Sequence, residues 1–367
     1  MRILIACDSF KDALPAEGVC RAIAKGLSRG HANVQTVEMP LSDGGEGVLD
    51  ILRRSLALKT VSLEVQGPLG RPVNASYGIS ADGGTAMVGM AEASGLQLLS
   101  PAERNPLLTS TYGTGQLLAD ARSKGAKRAL LAIGGSATND AGIGMAAALG
   151  WKFLDAEGRN VEPVGGRMQD VARILAPPQT PFARVEVLCD VTNPLYGPNG
   201  AAWIYGRQKG GNDQSLAQLD AGLRNIAALV EKQTGRMGLA QTPGAGAAGG
   251  MGFGGLAFLG ATLKRGIEMV MDMVGFDQAV SQADLVITGE GKIDGQSGQG
   301  KLIQGVCARA GKVPVIALCG KLSASPAEIA GLGLKAAYSI NKMERPLAEM
   351  LAATEQNLEQ AAAALPL

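Results

Sequence analysis

The chain has 367 residues, and its 34 basic and 33 acidic residues leave a net charge of +1 at pH 7. This balance argues against a nucleic-acid-binding surface and against a basic segment that would dock on a membrane. No apolar run approaches the ~20 residues of a membrane-spanning helix, so we expect a cytoplasmic protein with no nucleic-acid or membrane partner.

Both ends of the chain alternate short apolar runs with helical segments. Near the start, strands are predicted over 3–6 and 34–38, and helices over about 15–28 and 47–56. Toward the end, strands are predicted over 285–288, 315–319 and 335–340, and helices over about 302–310, 326–330 and 347–364. This alternation predicts a Rossmann-like, doubly wound parallel sheet.

The middle of the chain has a different pattern. Alternating segments over 61–65, 73–79 and 86–90 are joined by Gly-Pro and Asp-Gly-Gly turns, which favours antiparallel pairing. The length suggests two domains. We therefore predict an α/β protein whose Rossmann-like domain comprises residues 1–63 and 283–367, with a second α/β domain and its mixed sheet inserted over 64–282. Ligands are expected in the cleft between the domains, where small-molecule sites are common.

The most distinctive loop follows the apolar run 128–133. Segment 134–142 (GGSATNDAG) begins with two glycines, and Asn139 and Asp140 are placed to cap a helix over 143–149. Such a turn presents unpaired N–H groups to a phosphate or carboxylate, although ordinary turns share the pattern. Similar clusters at 42–47, 111–115, 244–250 and 288–292, in a chain with 52 glycines, favour one or two large anionic ligands.

Two segments fit known nucleotide-binding patterns only in part. Residues 295–301 match the G-x-x-x-x-G-K frame of a P-loop, but Leu302 stands where Ser or Thr would hold Mg²⁺. Gly244, Gly246 and Gly249 match G-x-G-x-x-G, but no clear strand precedes them, and Glu268, about 20 residues on, lies in a helical stretch. The sequence argues against both a true P-loop and a dinucleotide fingerprint, while an anion-binding loop stays open.

Carboxylates gather at the predicted carboxyl edge of the first sheet. Asp8 and Lys11 follow its first strand, Asp43 follows the second, and Glu290 and Asp294 follow the third. Because like charges at one edge repel one another, a cation is expected among these acids, and Mg²⁺ takes one or two carboxylates with phosphate oxygens. Each acid by itself could equally be a helix cap.

Another polar strand end lies in the inserted domain. Asp190 ends an apolar strand over 185–190, and Arg207 and Lys209 follow it along the chain. One histidine and five widely spaced cysteines indicate neither a zinc site nor a disulfide framework, so a general base is expected to be a carboxylate or a lysine. The two cations could serve a carboxylate or a transferring phosphate, or they could lie on the surface beside a capped turn.

The order of these segments resembles the type 1 glycerate kinase family over essentially the whole chain. The matching blocks are DSFK at 8–11, SDGGEG at 42–47, GPLG at 67–70, TSTYGTG at 109–115, IGGSATNDAG at 133–142, CDVTNP at 189–194, QKG at 208–210, PGAGAAGGMG at 243–252 and ITGEGKID at 287–294. The resemblance implies an ATP- and Mg²⁺-dependent kinase that converts D-glycerate to 2-phospho-D-glycerate, with ADP as the second product. It also implies a role in glyoxylate and sugar-diacid breakdown; a homodimer is a further expectation.

Phosphoryl transfer needs positioning, positive charge around the γ-phosphate and a carboxylate for the hydroxyl proton. Asp190 is accordingly predicted as the base, with Lys11 and Lys209 stabilising the transferred phosphate. Glycerate is expected at Ser136, Thr138, Asn139, Asp140 and Arg207, nucleotide at Gly244, Gly246, Gly249, Gly250 and Lys292, and Mg²⁺ at Glu290 and Asp294 or at Asp43. A dehydrogenase using the 244–249 glycines, a non-catalytic metabolite sensor and phosphorylation at the 3-hydroxyl stay open as alternatives.

Overall fold

The structure is a computed structural model. It describes residues 1–42, 51, 53, 56–178, 182–294, 301–341, 343 and 345–367. The chain divides into two compact units, one formed by Met1–Ser55 with Gly266–Leu367 and the other by Leu56–Arg265.

Both divisions between the units lie earlier in the chain than the predicted boundaries at 63/64 and 282/283. The first lies earlier because the strand Lys59–Gln66 pairs along its whole length with Pro72–Ile79 of the second unit. The second lies earlier because Arg309 of the first unit binds Asp272 at 2.7 Å and Asp277 at 2.8 Å. These contacts tie the two helices that follow residue 265 to the first unit.

Strands and helices are numbered along the chain. The strands are β1 (Arg2–Ile5), β2 (Gln35–Glu38), β3 (Lys59–Gln66), β4 (Pro72–Ile79), β5 (Thr85–Gly89), β6 (Arg128–Ala132), β7 (Lys152–Leu154), β8 (Arg173–Leu175), β9 (Arg184–Leu188), β10 (Thr262–Lys264), β11 (Leu285–Ile293), β12 (Val315–Leu322) and β13 (Ala336–Ser339). The α-helices are α1 (Ala16–Gly30), α2 (Ala91–Ser94), α3 (Tyr112–Ser123), α4 (Ile143–Ala148), α5 (Ala201–Tyr205), α6 (Asp213–Thr234), α7 (Ala247–Leu259), α8 (Gly266–Val274), α9 (Phe276–Val280), α10 (Lys301–Ala310), α11 (Pro326–Gly331), α12 (Leu347–Ala352) and α13 (Thr354–Ala363).

The first unit is built around a five-stranded sheet in the order β13-β12-β11-β1-β2. Every neighbouring pair is parallel, which confirms the predicted doubly wound sheet. Its central strands begin as continuous buried apolar runs, as is usual where helices cover both faces of a parallel sheet. Since all its strands run the same way, the segments that follow β1, β11, β12 and β13 leave from one edge, where open α/β sheets bind ligands.

The helix that packs most closely on α1 is α13. A Cβ added at Gly26 would lie 2.2 Å from the carbonyl oxygen of Glu359, so only glycine allows this approach. The Glu359 carboxylate is also 2.5 Å from Lys25 Nζ and 2.5 Å from Arg29 Nη1. The single closing helix predicted over 347–364 is instead two helices, α12 and α13, that meet at Ala353.

The second unit contains a six-stranded mixed sheet in the order β10-β9-β6-β5-β4-β3. As the alternating segments predict, β3, β4 and β5 pair antiparallel, whereas β5, β6, β9 and β10 pair parallel. A separate two-stranded ribbon joins β7 and β8. Ala132 of β6 pairs with Leu188 of β9, so the loops after these two strands begin at the same edge of the sheet.

Two apolar clusters hold the second unit together. One lies on a single face of the mixed sheet, where Tyr77, Val88 and Leu131 pack with Leu117 and Leu118 of α3. The other surrounds α6, whose buried residues recur at helical spacing: Leu216, Leu219, Leu223 and Ile226. In the described parts of both units, no helix combines the length and the apolar character that crossing a bilayer would require.

Candidate functional site

The loop 134–142 is organised around the buried carboxylate of Asp140. This carboxylate accepts hydrogen bonds from the N–H and the hydroxyl of Thr111, each at 2.8 Å, and from the N–H groups of Gly142 at 3.1 Å and Gly144 at 3.3 Å. Burial raises the pKa of Asp140, but all four partners are donors, which favours the ionised form. Gly142 holds the N-cap position of α4, and the Asp140 carboxylate binds the N–H groups at the start of this helix from two residues earlier.

Thr111 belongs to this site although the sequence analysis did not single it out. Its hydroxyl donates to Asp140 and accepts from the N–H of Met145 at 2.8 Å, so one side chain links the starts of α3 and α4. The signal in the sequence was the TSTYGTG block. That block contains several hydroxyl residues, and only the packing of the two helices shows which one meets Asp140.

Lys209 is buried under the same loop, with 1% of its surface exposed. Its Nζ donates to Oγ of Ser136 at 2.8 Å and to the carbonyl oxygen of Thr138 at 2.7 Å. Burial lowers the pKa of Lys209 to about 7, and the negative charge of Asp140 acts against this shift. The structure thus brings Lys209, which was predicted to stabilise the transferred phosphate, together with Ser136, Thr138 and Asp140 of the predicted glycerate loop.

Thr138 and Asn139 carry polar atoms that the protein leaves unpaired. The Thr138 hydroxyl and both amide atoms of Asn139 have no hydrogen-bond partner among the described residues, although both side chains are fully buried. The predicted capping role is therefore wrong for Asn139. An unpaired buried polar group costs about 1–3 kcal/mol. These atoms are accordingly the part of the loop with unused capacity to bind water or a polar ligand.

The glycines of segment 244–250 pack against the loops that follow β6 and β9. Gly249 and Gly250 have φ angles of +72° and +90°, and a Cβ at Gly249 would lie 2.0 Å from the carbonyl oxygen of Thr138. A Cβ at Gly246 would lie 2.1 Å from the carbonyl oxygen of Pro194. The G-x-G-x-x-G spacing therefore serves close backbone packing within the unit. A nucleotide contact at Gly244, Gly246, Gly249 or Gly250 stays a prediction.

Asp190 lies two residues beyond β9 and is half-buried at the edge from which loop 134–142 also leaves. Nearby, Asn193 donates to the carbonyl oxygen of Asn199 at 2.9 Å and accepts from the Tyr205 hydroxyl at 2.6 Å, which fixes the segment after Asp190. Arg207 is exposed instead, and its guanidinium binds the carboxylate of Asp213. Of the two predicted cations, the structure thus places Lys209 under the loop and Arg207 on the surface.

In the first unit, the segment after β1 lines a pocket of about 450 Å³. Its polar and charged lining consists of Asp8, Ser9, Lys11, Asp12, Glu17 and Ser42. The Asp8 carboxylate accepts from the N–H of Ser9 at 2.6 Å. The Ser42 hydroxyl is buried and has no partner among the described residues. Asp43, a predicted Mg²⁺ ligand, and residues 295–300 of the P-loop-like frame lie outside the described residues.

Strands β11 and β12 extend beyond the other strands of their sheet and carry charged side chains there. Lys292 pairs in register with Lys321, and Glu290 pairs with Cys319. The Nζ of Lys292 is 2.5 Å from Oδ2 of Asp294, so a predicted nucleotide ligand and a predicted metal ligand form an ion pair. Lys321 was not predicted, because only the strand register shows that it lies beside Lys292.

The acids at this edge offer oxygen donors of the kind that Mg²⁺ prefers. The N–H of Asp8 donates to the carbonyl oxygen of Gly289 at 3.0 Å, which joins the segment of Asp8 to that of Glu290. One or two carboxylates suffice for Mg²⁺ when phosphate supplies the other ligands, so the chemistry of Glu290 or of Asp294 suits that ion. The extended backbone of β11 separates these two positions by about 13 Å, so one ion would take only one of them. Among the described residues, no group of three or more His, Cys, Asp or Glu side chains could hold a metal alone.

Known proteins resemble this chain over nearly its whole length. A family model described as the glycerate kinase family matches residues 3–366. The chain is 41% identical over 367 residues to a glycerate kinase of Bacillus cereus, covering 99% of this chain and 96% of that protein. It is 42% identical over 345 residues to the glycerate 2-kinase of Escherichia coli K12, covering 93% and 90%.

A solved structure shares the fold as well. It is a crystal structure of a Salmonella typhimurium LT2 protein provisionally named glycerate kinase 2. The two chains superpose with a TM-score of 0.84 at 39% identity, over 99% of this chain and 96% of that one. With this likeness in fold and the match of nearly its whole length, the chain belongs to the glycerate kinase family.

Proposed function

We propose that this protein transfers the γ-phosphoryl group of ATP to the 2-hydroxyl of D-glycerate, giving 2-phospho-D-glycerate and ADP. The observation that carries the proposal is the match of residues 3–366 to the glycerate kinase family. Membership makes the chain a phosphotransferase that acts on an alcohol group. The 2-position follows the relative named glycerate 2-kinase, which is 42% identical.

Glycerate is proposed to bind at the loop 134–142 of the second unit. The unpaired Thr138 hydroxyl and Asn139 amide support this assignment, because a hydroxy acid can both donate to and accept from such groups. The carboxylate of Asp140 is already used by four donors inside the protein, so we assign it to holding the loop. Lys209 has the same role, since its ammonium is buried and bonded to Ser136 and to Thr138.

Arg207 remains a proposed contact for the glycerate carboxylate. Arg207 is exposed and paired with Asp213. Because exposed ion pairs of this kind contribute only about 0–1 kcal/mol, Arg207 can leave Asp213 and bind the substrate carboxylate at a small cost in free energy. The glycines at 244–250 are proposed to act through packing, because they allow the loops carrying Thr138 and Pro194 to approach one another.

Asp190 is proposed as the general base. It is half-buried at the sheet edge from which the glycerate loop also leaves. In the reaction, Asp190 accepts the proton of the 2-hydroxyl while that oxygen forms a bond to the γ-phosphorus. The bond from the γ-phosphorus to the bridging oxygen breaks, and its electron pair leaves with ADP.

The nucleotide is proposed to bind at the carboxyl edge of the parallel sheet of the first unit. Lys11 lines the pocket after β1, and Lys292 lies on β11, so both can contact phosphate oxygens. Glu290 or Asp294 would hold Mg²⁺ together with those oxygens. When bound, the ion offsets the negative charge of the phosphates.

A coupled assay of ADP release with ATP and D-glycerate tests this function, and phosphorus NMR of the product locates the phosphate. We expect ADP release that requires D-glycerate and stops when EDTA removes divalent ions, with phosphorus on carbon 2. Phosphorus on carbon 3 would correct the position. Binding of either ligand without ADP formation would replace the kinase by a metabolite sensor.

The cellular location and metabolic role of the protein are also proposed from its membership of the glycerate kinase family. An enzyme that consumes ATP is expected in the cytoplasm, where ATP is made available, and glycerate phosphorylation would serve the breakdown of glyoxylate and sugar diacids. The expected homodimer stays a prediction. Size-exclusion chromatography with light scattering tests it directly.

A further inference from the structure

A second pocket lies at the end of β13, the edge strand of the parallel sheet. Its volume is about 190 Å³. Its lining combines carboxamide and apolar side chains, which include Asn341, Met350 and Gln360, with the exposed charged side chains of Arg345 and Glu349. We propose that this pocket holds the purine base of the nucleoside triphosphate. The inference rests on the proposed function, which requires ATP, and it adds where the base binds.

The position of the pocket suits a nucleotide whose phosphates lie near Lys11. The strand order places β13 three strands from β1, with β12 and β11 between them. Neighbouring strands are about 4.8 Å apart, so the ends of β1 and β13 are separated by about 14 Å along the sheet edge. This separation is comparable with the length of an extended nucleoside triphosphate, with its base at β13 and its γ-phosphate at β1.

The strands between these two points carry the charges that a triphosphate needs. Lys292 on β11 and Lys321 on β12 are register partners, and like charges directly opposite one another are unfavourable. Asp294 lies against Lys292. A phosphate group over the lysine pair would offset the remaining repulsion, so the route from Lys11 to the pocket crosses two adjacent cations.

Inside the pocket, two carboxamides are held in fixed orientations. Asn341 donates through Nδ2 to the carbonyl oxygen of Gly320 at 2.7 Å, and Asn357 donates through Nδ2 to Oδ1 of Asn341 at 2.8 Å. The pocket is therefore preorganised by the end of β12 and by α13. Gln360, one turn further along α13, is exposed at the pocket.

The chemistry of the lining fits a purine. Ile340, Met350 and Ala353 supply apolar surface for a flat ring, and a carboxamide such as that of Gln360 can form two hydrogen bonds with N6 and N7 of adenine. Sites for drug-sized molecules measure about 300–1,000 Å³. A pocket of about 190 Å³ therefore suits a single heterocycle, with the sugar and phosphates outside it.

The test fills the pocket and compares ligands with and without a base. In Ala353→Leu, the KM for ATP should rise about tenfold, while inhibition by inorganic triphosphate should be unchanged because that ion has no base. Ala352→Leu changes the adjacent, exposed alanine outside the lining and is the matched control. Gln360 is exposed, so Gln360→Ala should leave the folded structure intact. This variant should raise the KM for ATP without changing the KM for D-glycerate.

The proposal is overturned if Ala353→Leu and Gln360→Ala both keep the wild-type KM for ATP. It is also overturned if these variants weaken the binding of inorganic triphosphate as much as the binding of ATP. Failure of the proposed function would look different. If the wild type forms no ADP, the affinities of the wild type and the same three variants for ATP and for inorganic triphosphate can still be measured by titration calorimetry. These affinities test the pocket without any need for turnover.

Discussion

The ammonium of Lys209 donates to the hydroxyl of Ser136 at 2.8 Å, although the two residues are 73 positions apart in the chain. A second bond joins the same ammonium to the carbonyl oxygen of Thr138 at 2.7 Å. A buried cation thus fixes the loop proposed to bind glycerate. Because burial brings the pKa of Lys209 to about 7, its charge is sensitive to pH near neutrality.

Replacing this cation should misplace the loop without unfolding the protein. In Lys209→Met, kcat/KM for D-glycerate is expected to fall about 10²-fold, because small errors in positioning have effects of that size. The KM for ATP should hardly change. The unfolding free energy near pH 7 should fall by about 1–3 kcal/mol, because the buried carbonyl oxygen of Thr138 loses its donor.

Lys232→Met, at an exposed lysine of α6, is the control for Lys209→Met and should leave both constants unchanged. Steady-state kinetics with each substrate varied in turn measure the difference. Equal losses for both substrates would assign Lys209 a merely structural role.

The buried lysine should also give the stability a recognisable pH dependence. Its pKa is about 7 in the folded protein and about 10.4 in the unfolded chain. Below pH 7 the lysine is charged in both states, and the cost of burying the charge is complete. Between the two pKa values the unfolded chain binds more protons, so this cost falls as the pH rises.

Wild type should therefore gain about 2–3 kcal/mol in unfolding free energy relative to Lys209→Met between about pH 6.5 and pH 9. Urea unfolding of both proteins at the two pH values measures the change. A constant difference between the two proteins would show that Lys209 titrates normally in the folded state.

Two effects of placing a side chain at Gly249, the clash with neighbouring atoms and the strain of a positive φ angle, can be measured separately. Gly249 and Gly235 both have positive φ angles, +72° and +68°, but only at Gly249 would a Cβ meet other atoms, at 2.0 Å from the carbonyl oxygen of Thr138. Gly235→Ala should cost about 1–2 kcal/mol of stability from the left-handed conformation alone. Gly249→Ala should cost clearly more and should also lower kcat/KM for D-glycerate, because it displaces Thr138. Similar losses in urea unfolding for the two variants would argue against the packing role.

The hydrogen-bond donors around the Asp140 carboxylate predict how Asp140→Asn will affect stability. Asn at this position keeps the shape of the side chain but turns an NH₂ group toward N–H and hydroxyl donors, including those of Thr111 and Gly142. Asp140→Asn should therefore lower the unfolding free energy by about 1–3 kcal/mol. Asp170→Asn, which breaks an exposed pair with Arg167, should cost only about 0–1 kcal/mol in the same measurement.

The assignment of Asp190 as the base is tested by Asp190→Asn. Loss of a general base should lower kcat by about 10²–10⁴-fold. Binding of D-glycerate should be retained, which titration calorimetry measures. Wild-type turnover in this variant would remove Asp190 from the reaction and direct attention to the acids at the end of β11.

The fold was largely predictable because the pattern of apolar residues in each strand reflects whether one face or both faces of that strand are buried. Residues 3–5 of β1, 285–287 of β11 and 315–319 of β12 are apolar and buried in succession, whereas β3 and β4 alternate and pair antiparallel. The site was predictable only in part. Lysine is seldom buried, so the residues around Lys209 suggested a surface cation as readily as an internal one. Asn139 looked like a helix cap, but it is the carboxylate of the neighbouring Asp140 that accepts from the N–H groups at the start of α4.

From the sequence alone came the two kinds of sheet, the glycine-rich loops at the strand ends and the resemblance to a kinase family, because apolar spacing and turn residues act on their immediate neighbours. The tertiary structure decided that Lys209 lies under Ser136, that Lys321 lies beside Lys292 and that Asn357 holds Asn341. Each of these contacts joins distant parts of the chain, and its geometry depends on strand register and loop packing, which no local pattern records.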